Sequence, residues 1–416
     1  MKTNTIIIGG GLSGLTAARQ LHKEGVDFIL LEATERIGGR IKTDVKDGFR
    51  LDHGFQVLLT AYPEAQRWLN YNSLDLKSFL PGAQLLYANG SKGLLGDPLR
   101  DFASLFPTLF SKAGNIKDKL GILKLRYRLS KLSIEEIFNQ KEIPTSEVLE
   151  VEYGFSQKMI QQFFQPFFTG IFLEKDLTTS RRMFDFVFKM FSEASTAVPN
   201  LGMEEISKQL ASILPQKSII TNARVNRIEG QSVFLSDGSS FTAPNIIVAT
   251  EATGLIKELS EVKTNHQSTT HIHFTTDTPP ISKPIIALNT KLDRLVNNIC
   301  TINKVAPAYS NNDLQLISLS VVGKHGLNET DLIKAIRKEL SPWFGNETED
   351  WNYLHTRTVQ YALPNQNNVL HTFNKEQAIL KKGLFACGDY QLNGSINAAM
   401  KTGREVAELV LQNVNK

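Results

Sequence analysis

The residues with the most chemistry to offer are three glycines, Gly9, Gly11 and Gly14. They sit between a β-branched run, Thr5-Ile6-Ile7-Ile8, and a helical pattern opening at Leu12 and Ser13. Strand, tight turn and helix start at this spacing hold a dinucleotide pyrophosphate on backbone N–H groups and the helix dipole, because only small residues let phosphates approach the backbone. A second apolar run, Phe28-Ile29-Leu30-Leu31, ends at Glu32. Its carboxylate suits the two hydroxyls of an adenosine ribose and repels a 2′-phosphate.

The turn after Glu32 narrows the cofactor. It runs Ala33-Thr34-Glu35-Arg36-Ile37-Gly38-Gly39-Arg40 and sets two glycines between two arginines. A nicotinamide dehydrogenase has no need of it, whereas flavin adenine dinucleotide (FAD), lying extended, needs further donors along its pyrophosphate and ribityl chain. A glycine turn at Gly54-Phe55-Gln56 gives backbone access to an isoalloxazine ring. Together these elements resemble the amino-terminal signature of the FAD-dependent amine oxidase and phytoene desaturase superfamily.

The other end of the chain completes that resemblance. Gly383-Leu384-Phe385-Ala386-Cys387-Gly388-Asp389, then Gly394-Ser395-Ile396-Asn397-Ala398-Ala399, is similar to the superfamily's carboxyl-terminal signature. An apolar strand delivers Asp389 to a ribityl hydroxyl, and a glycine-led helix start aims N–H groups at the N1–C2=O edge of the reduced ring. The resemblance implies that Val225 meets the adenine through its backbone and that the strand reaching Ala249 closes a parallel sheet. It also implies that His271 stands where amine oxidases carry a lysine that holds water near flavin N5, which makes His271 the candidate catalytic residue. Ser395 occupies the place of one of the two aromatic residues that sandwich an amine in that branch, a departure that weighs against amine oxidation.

Composition is compatible with this reading. Of the 416 residues 41% are hydrophobic and 21% charged, and the length suggests about two domains. The net charge of +4 is too mild to propose nucleic acid as a partner. No apolar run reaches the roughly 18 residues of a spanning helix, and the immediate opening strand leaves no room for a secretory signal, so a cytoplasmic protein is expected. The two cysteines, Cys300 and Cys387, form no C-x-x-C pair. Cys387 precedes Gly388-Asp389, but the family's covalent tether sits elsewhere, so FAD is expected to be non-covalent. His271-x-His273 lacks a third ligand at useful spacing, so no metal is expected.

The expected architecture is α/β: a Rossmann-like FAD-binding domain with a parallel sheet and a three-stranded β-meander, plus an α+β substrate-binding domain. The first is assigned to residues 1–60, 195–265 and 371–416, the second to 61–194 and 266–370. Within the second, residues 82–194 read as mostly helix, with a capping box at Ser133-Ile134-Glu135-Glu136 and N-caps at Ser156 and Ser180. Strands are expected at 219–228, 245–250, 271–274, 314–322 and 351–364.

Two stretches bear on the substrate. Residues 155–191 hold ten phenylalanines, which build either an aromatic core or the wall of a deep apolar pocket. Between residues 100 and 131 lysines and arginines alternate with leucine, isoleucine and phenylalanine, the pattern of a solvated helix face or of a protein resting on an anionic bilayer. The expected function is dehydrogenation of an apolar, isoprenoid- or carotenoid-like substrate by hydride transfer to FAD. The alternatives are porphyrinogen or amine oxidation with dioxygen, and a non-enzymatic prenyl-binding protein of the same fold. Its partner is then a small lipophilic substrate with peripheral membrane contact through residues 100–131, and the oligomeric state is left open.

Overall fold

The structure, a computed structural model, describes residues 3–250 and 266–414. The expected domain boundary at residue 265 lies outside them.

The nucleotide side is built on a six-stranded sheet in the order Ile219–Ile220, Phe28–Leu31, Thr5–Ile8, Asn245–Val248, Leu384–Ala386 and Ile379–Lys381. All pairings are parallel except the last, an antiparallel edge. These strands read as unbroken apolar runs because both faces are covered. Ile7, Leu30, Ile247 and Phe385 pack with the helical side, including Leu15 and Leu21 of the helix Leu12–Lys23. Ile6, Ile8, Ile29, Ile246 and Val248 pack against the three-stranded meander Val225–Glu229, Ser232–Leu235 and Ser240–Thr242 through Val225, Ile228, Val233 and Leu235.

Two glycines set how closely these layers approach. A Cβ on Gly14 would lie 1.9 Å from the carbonyl oxygen of Gly9, so only glycine lets the first helix start against the first strand. A Cβ on Gly403, within the helix Ile396–Val414, would lie 2.1 Å from the carbonyl oxygen of Ser13. The last helix is therefore pressed onto the first.

A second sheet has seven strands, ordered Asn352–Pro364, His266–Thr276, Gln315–Val322, Val296–Thr301, Ala287–Asn289, Gly82–Leu86 and Lys92–Gly96. One face buries Ile272, Phe274, Ile299, Ile317 and Leu319 under Leu332, Ile336 and Leu340 of the helix Glu329–Phe344. The other face carries Asn298, Ser318, Ser320 and His271, which register pairing puts in adjacent rows.

Two details differ from the sequence-based expectation. Residues 82–96 form a hairpin of this sheet rather than part of a helical block, with helices following from Leu105. The expected strand 219–228 is two strands in two sheets, because Asn222 takes a left-handed φ of 54° and turns the chain between them. Ser133, Ser156 and Ser180 all cap their helices, Ser133 in a reciprocal box with Glu136.

Candidate active site

A cleft of about 1320 Å³ runs from the glycine-rich turn, between the two sheets, to the helical surface around residues 99–126. Pockets that hold one compact ligand span roughly 300–1,000 Å³, so this one has room for an extended cofactor and a substrate together.

Its nucleotide end is assembled by backbone geometry. Gly11 is the N-cap of the first helix and supplies no side-chain cap, which leaves the first-turn N–H groups at Leu12 and Ser13 open to an anion. Gly9 N–H donates to the Leu31 carbonyl at 2.8 Å, and Gly38 N–H to the Gly10 carbonyl at 2.9 Å, folding the 33–40 turn back over the glycine loop. A Cβ on Gly39 would stand 3.0 Å from Gly11 Cα, so the two form a close-walled cradle. Glu32, nearly buried beside Ala33, accepts from Gly10 N–H at 2.8 Å and from the Thr34 hydroxyl at 2.6 Å, which fixes its carboxylate at the strand end. Val225 and Ala249 complete the lining here.

The middle of the cleft is closed from the far end of the chain. Arg40 donates through Nη2 to Asp389 Oδ1 at 2.5 Å and through Nη1 to the Ala362 carbonyl at 2.9 Å. Gln56 Nε2 donates to the Arg40 carbonyl at 3.0 Å, while its buried Oε1 has no partner among the described residues and stands ready for a donor on a bound group. Gly54, Phe55, Gly388, Gly394, Ser395, Ile396 and Ala399 line the same section. Ser395 has a local task as well: its hydroxyl accepts from Ala398 N–H at 3.0 Å, capping the last helix. An open helix N-terminus, a glycine cradle, a fixed strand-end carboxylate and an unsatisfied buried acceptor along one channel fit an extended dinucleotide such as FAD.

Three predicted residues stand apart from the lining. Gly14 acts by packing, as described above. Arg36 turns away, pairing with Asp44 and with Glu204 at 3.3 Å and donating to the Thr43 carbonyl at 2.9 Å, at a separate shallow hollow. His271 is 2% exposed; the ring of Phe55, which does line the cleft, stacks on it at 6.3 Å, and His273 stacks at 4.4 Å. Its Nε2 pairs with the Ser318 hydroxyl at 2.8 Å. Burial, reinforced by the charge of His355, pushes its pKa down to about 3, so the ring is neutral at physiological pH.

The cleft also uses residues that the sequence-based expectation omitted. Asn298 and Ser320, cross-strand partners, both face it with Thr269. Asn298 is held by a buried relay: Arg294 Nε donates to Asn297 Oδ1 at 2.9 Å, and Asn297 Nδ2 donates to Asn298 Oδ1 at 3.3 Å. Asn298 Nδ2 has no partner among the described residues, in a section that also carries Ser320 and Thr269. Two asparagines inside a fully buried strand were the available signal, since buried amides are normally satisfied.

Beyond that point the wall is phenylalanine and leucine. The ten phenylalanines divide: Phe155, Phe164, Phe172, Phe184 and Phe186 are buried in the core, Phe163, Phe167, Phe188 and Phe191 are half-buried and line the cleft, and Phe168 does both. Among the described residues no group of three or more histidine, cysteine or acidic side chains comes together to hold a metal. No described helix is long and apolar enough to cross a membrane.

The profile of the flavin containing amine oxidoreductase family matches residues 12–411. The chain belongs to that family. Its similarity to curated relatives is local: 31% identity over 139 residues to polyamine oxidase 4 of Oryza sativa, 47% over 57 residues to a possible lysine-specific histone demethylase 1 of Drosophila melanogaster, and 45% over 42 residues to amine oxidase B of Homo sapiens. These matches cover 32%, 14% and 10% of this chain, and 25%, 6% and 8% of the relatives' own length.

Solved structures match the whole fold of this family member. A putrescine oxidase bound to putrescine is similar with a TM-score of 0.73 at 16% identity, each chain 99% covered. Cyclohexylamine oxidase from Brevibacterium oxydans gives 0.70 at 16% identity over the full length of both chains. A putative protoporphyrinogen oxidase from Exiguobacterium gives 0.68 at 16% identity, again with 99% of each chain covered. Identity this low shows a shared α/β fold. The family is flavin-containing, and the cleft described above fits FAD as that flavin.

Proposed function

We propose that this flavoenzyme is an oxidase of the amine- or porphyrinogen-oxidase type, removing hydride from a carbon of a substrate with a large apolar body, with dioxygen as acceptor. Family membership and the folds it resembles support oxidase chemistry over the isoprenoid dehydrogenation suggested by the phenylalanine-rich stretch. That stretch supports the apolar body.

The observation that carries the substrate class is the charge lining the outer arm of the cleft. Among the described residues, Arg100, Lys119 and Arg126 stand there beside a single carboxylate, Asp97, which already accepts from Arg126 Nη1 at 2.6 Å. A polycationic amine would meet like charge along this route several times over and a protonated monoamine once, whereas an uncharged or anionic apolar body would not meet it at all. Bound in the cleft, FAD supplies the hydride acceptor. The protein holds it through the Leu12 and Ser13 amides, Glu32, Arg40 and Asp389, keeps water out with Phe55 and the phenylalanine wall, and orients the substrate on the Asn298 amide. Non-covalent attachment is supported by Cys387, whose thiol is pushed up by full burial and stays protonated, a poor nucleophile.

The test is bleaching of the oxidised-flavin band near about 450 nm under anaerobic conditions, followed by admission of air and assay of peroxide. A hydrophobic monoamine, a polyamine, a reduced tetrapyrrole and a polyene precursor form the panel. Bleaching by the monoamine or the tetrapyrrole, with peroxide on aeration, is expected. Equal bleaching by the polyamine, bleaching by the polyene without peroxide, or a protein that binds no flavin would each overturn the proposal.

A further inference from the structure

The outer arm of the cleft opens through an unusual surface. Leu99, Phe106 and Phe110 are 69%, 65% and 83% exposed, and Ile116, Leu120, Leu123 and Tyr127 are 68%, 59%, 41% and 67% exposed. The last four recur at i, i+4, i+7 and i+11 on the helix Ile116–Lys131, a single continuous stripe. That helix already buries another face through Asp118, Leu125 and Leu129. It is therefore apolar on two sides, and only one is covered by its own protein. An apolar patch rimmed by charge marks an interaction surface.

The charge around the patch is mainly basic. Lys112, Lys117 and Lys124 point to solvent at its rim. Of the two acids of the stretch only Asp118 is buried. Asp118 is buried in a reciprocal cap with Asn115 and accepts from Ser156, and Asp101 accepts from Ala103 N–H. The same surface is also the doorway: Leu99, Ile116, Leu120 and Leu123 both face solvent and line the cleft that leads past Phe163 and Phe167 toward the cofactor section.

We infer that residues 99–127 seat on an anionic lipid bilayer, with the apolar stripe in the acyl boundary and the lysines at the headgroups, so that substrate passes from the bilayer into the cleft without crossing water. Basic rim, apolar centre and a cleft mouth inside the patch match a membrane surface in both charge and chemistry. This rests on the apolar substrate proposed above, but its test does not require turnover.

The holoenzyme is mixed with vesicles of phosphatidylcholine alone or with added phosphatidylglycerol, and the sedimented fraction is read by flavin absorbance. Binding to the anionic vesicles, reduced as salt is raised, is expected. Phe106→Ser with Phe110→Ser should weaken vesicle binding at least about tenfold. Lys117→Glu with Lys124→Glu should abolish the preference for anionic lipid. None of these four side chains lines the cleft, so flavin content and turnover of detergent-dispersed substrate should be unchanged. No binding at low salt overturns the inference. So does an apolar patch whose serine variants instead dissociate a dimer in sedimentation velocity, since the face is then covered by a second copy. Vesicle binding without bleaching by any apolar substrate would leave the surface standing and remove the proposed function.

Discussion

Arg40 and Asp389, 349 positions apart, meet at 2.5 Å in the middle of the cleft. The guanidinium is about one-third exposed and the carboxylate nearly buried, so the pair is screened on one side only. Their joint task is to tie the amino-terminal arginine turn to the carboxyl-terminal strand at the place where a ribityl chain would pass.

Removing either partner should therefore lower flavin retention more than stability. For Asp389→Ala a drop of about tenfold in bound flavin is expected, with a coupling to Arg40→Ala of roughly 1 kcal/mol in a double-mutant cycle. The flavin-to-protein absorbance ratio after gel filtration measures it. Full flavin content in both single variants would remove the pair from the cofactor site.

Gly403→Ala forces a methyl group to within 2.1 Å of the Ser13 carbonyl, and neither backbone can yield without separating the two helices. Overpacking of this kind costs about 1–3 kcal/mol or more, and here it also shifts the helix start that would face a bound pyrophosphate. A lowered melting temperature accompanied by flavin loss is the expected result. A melting temperature equal to that of the native protein would show that the helices do not need this contact.

Acid should destabilise the protein through its buried imidazoles. His271, pushed down to about 3 by burial, and His273, pushed well below the usual range by burial and by its neighbours, are neutral when folded. Unfolded, each titrates at about 6.5, so below that pH, and for His271 down to about 3, the unfolded chain holds more protons. Stability is then complete above about 6.5 and falls with pH at roughly 1.4 kcal/mol per pH unit for each histidine. Urea unfolding from pH 7 to pH 4 measures the slope, and His271→Phe should reduce it by about one proton. An unchanged slope would mean that His271 is protonated in the folded state.

Asn298→Leu removes the unpartnered amide from the cleft wall while keeping its branched shape. Flavin content should be native, with kcat/KM lowered about tenfold, the loss of one substrate hydrogen bond. Native kcat/KM on every accepted substrate would assign the amide to the protein scaffold.

How much of the fold and site was legible in the sequence depends on what the chemistry demanded of each residue type. The glycine turn, Glu32, the arginine turn and Gly388-Asp389 could be read because close backbone approach and a strand-end carboxylate tolerate few substitutes. The substrate end was opaque. Which of Thr269, His271, Ser320 and Asn298 faces the cleft depends on cross-strand register and on Phe55 lying over His271, neither of which leaves a local pattern. Arg36 was drawn from the cleft by Asp44 and Glu204, the latter contributed from a distant helix. The phenylalanines divided between core and wall because a helix in a two-sided environment buries one face and offers the other.

The contact between Gly403 and Ser13 also sets a timetable. During synthesis the glycine turn emerges first, but Asp389 and the helix that presses on Ser13 come only after the strands of the seven-stranded sheet have been made. Until then the pyrophosphate end has no opposite wall. Flavin capture is consequently a late event in the life of the nascent chain, and a ribosome-stalled fragment ending before Gly388 should emerge colourless, however well its first sheet has folded.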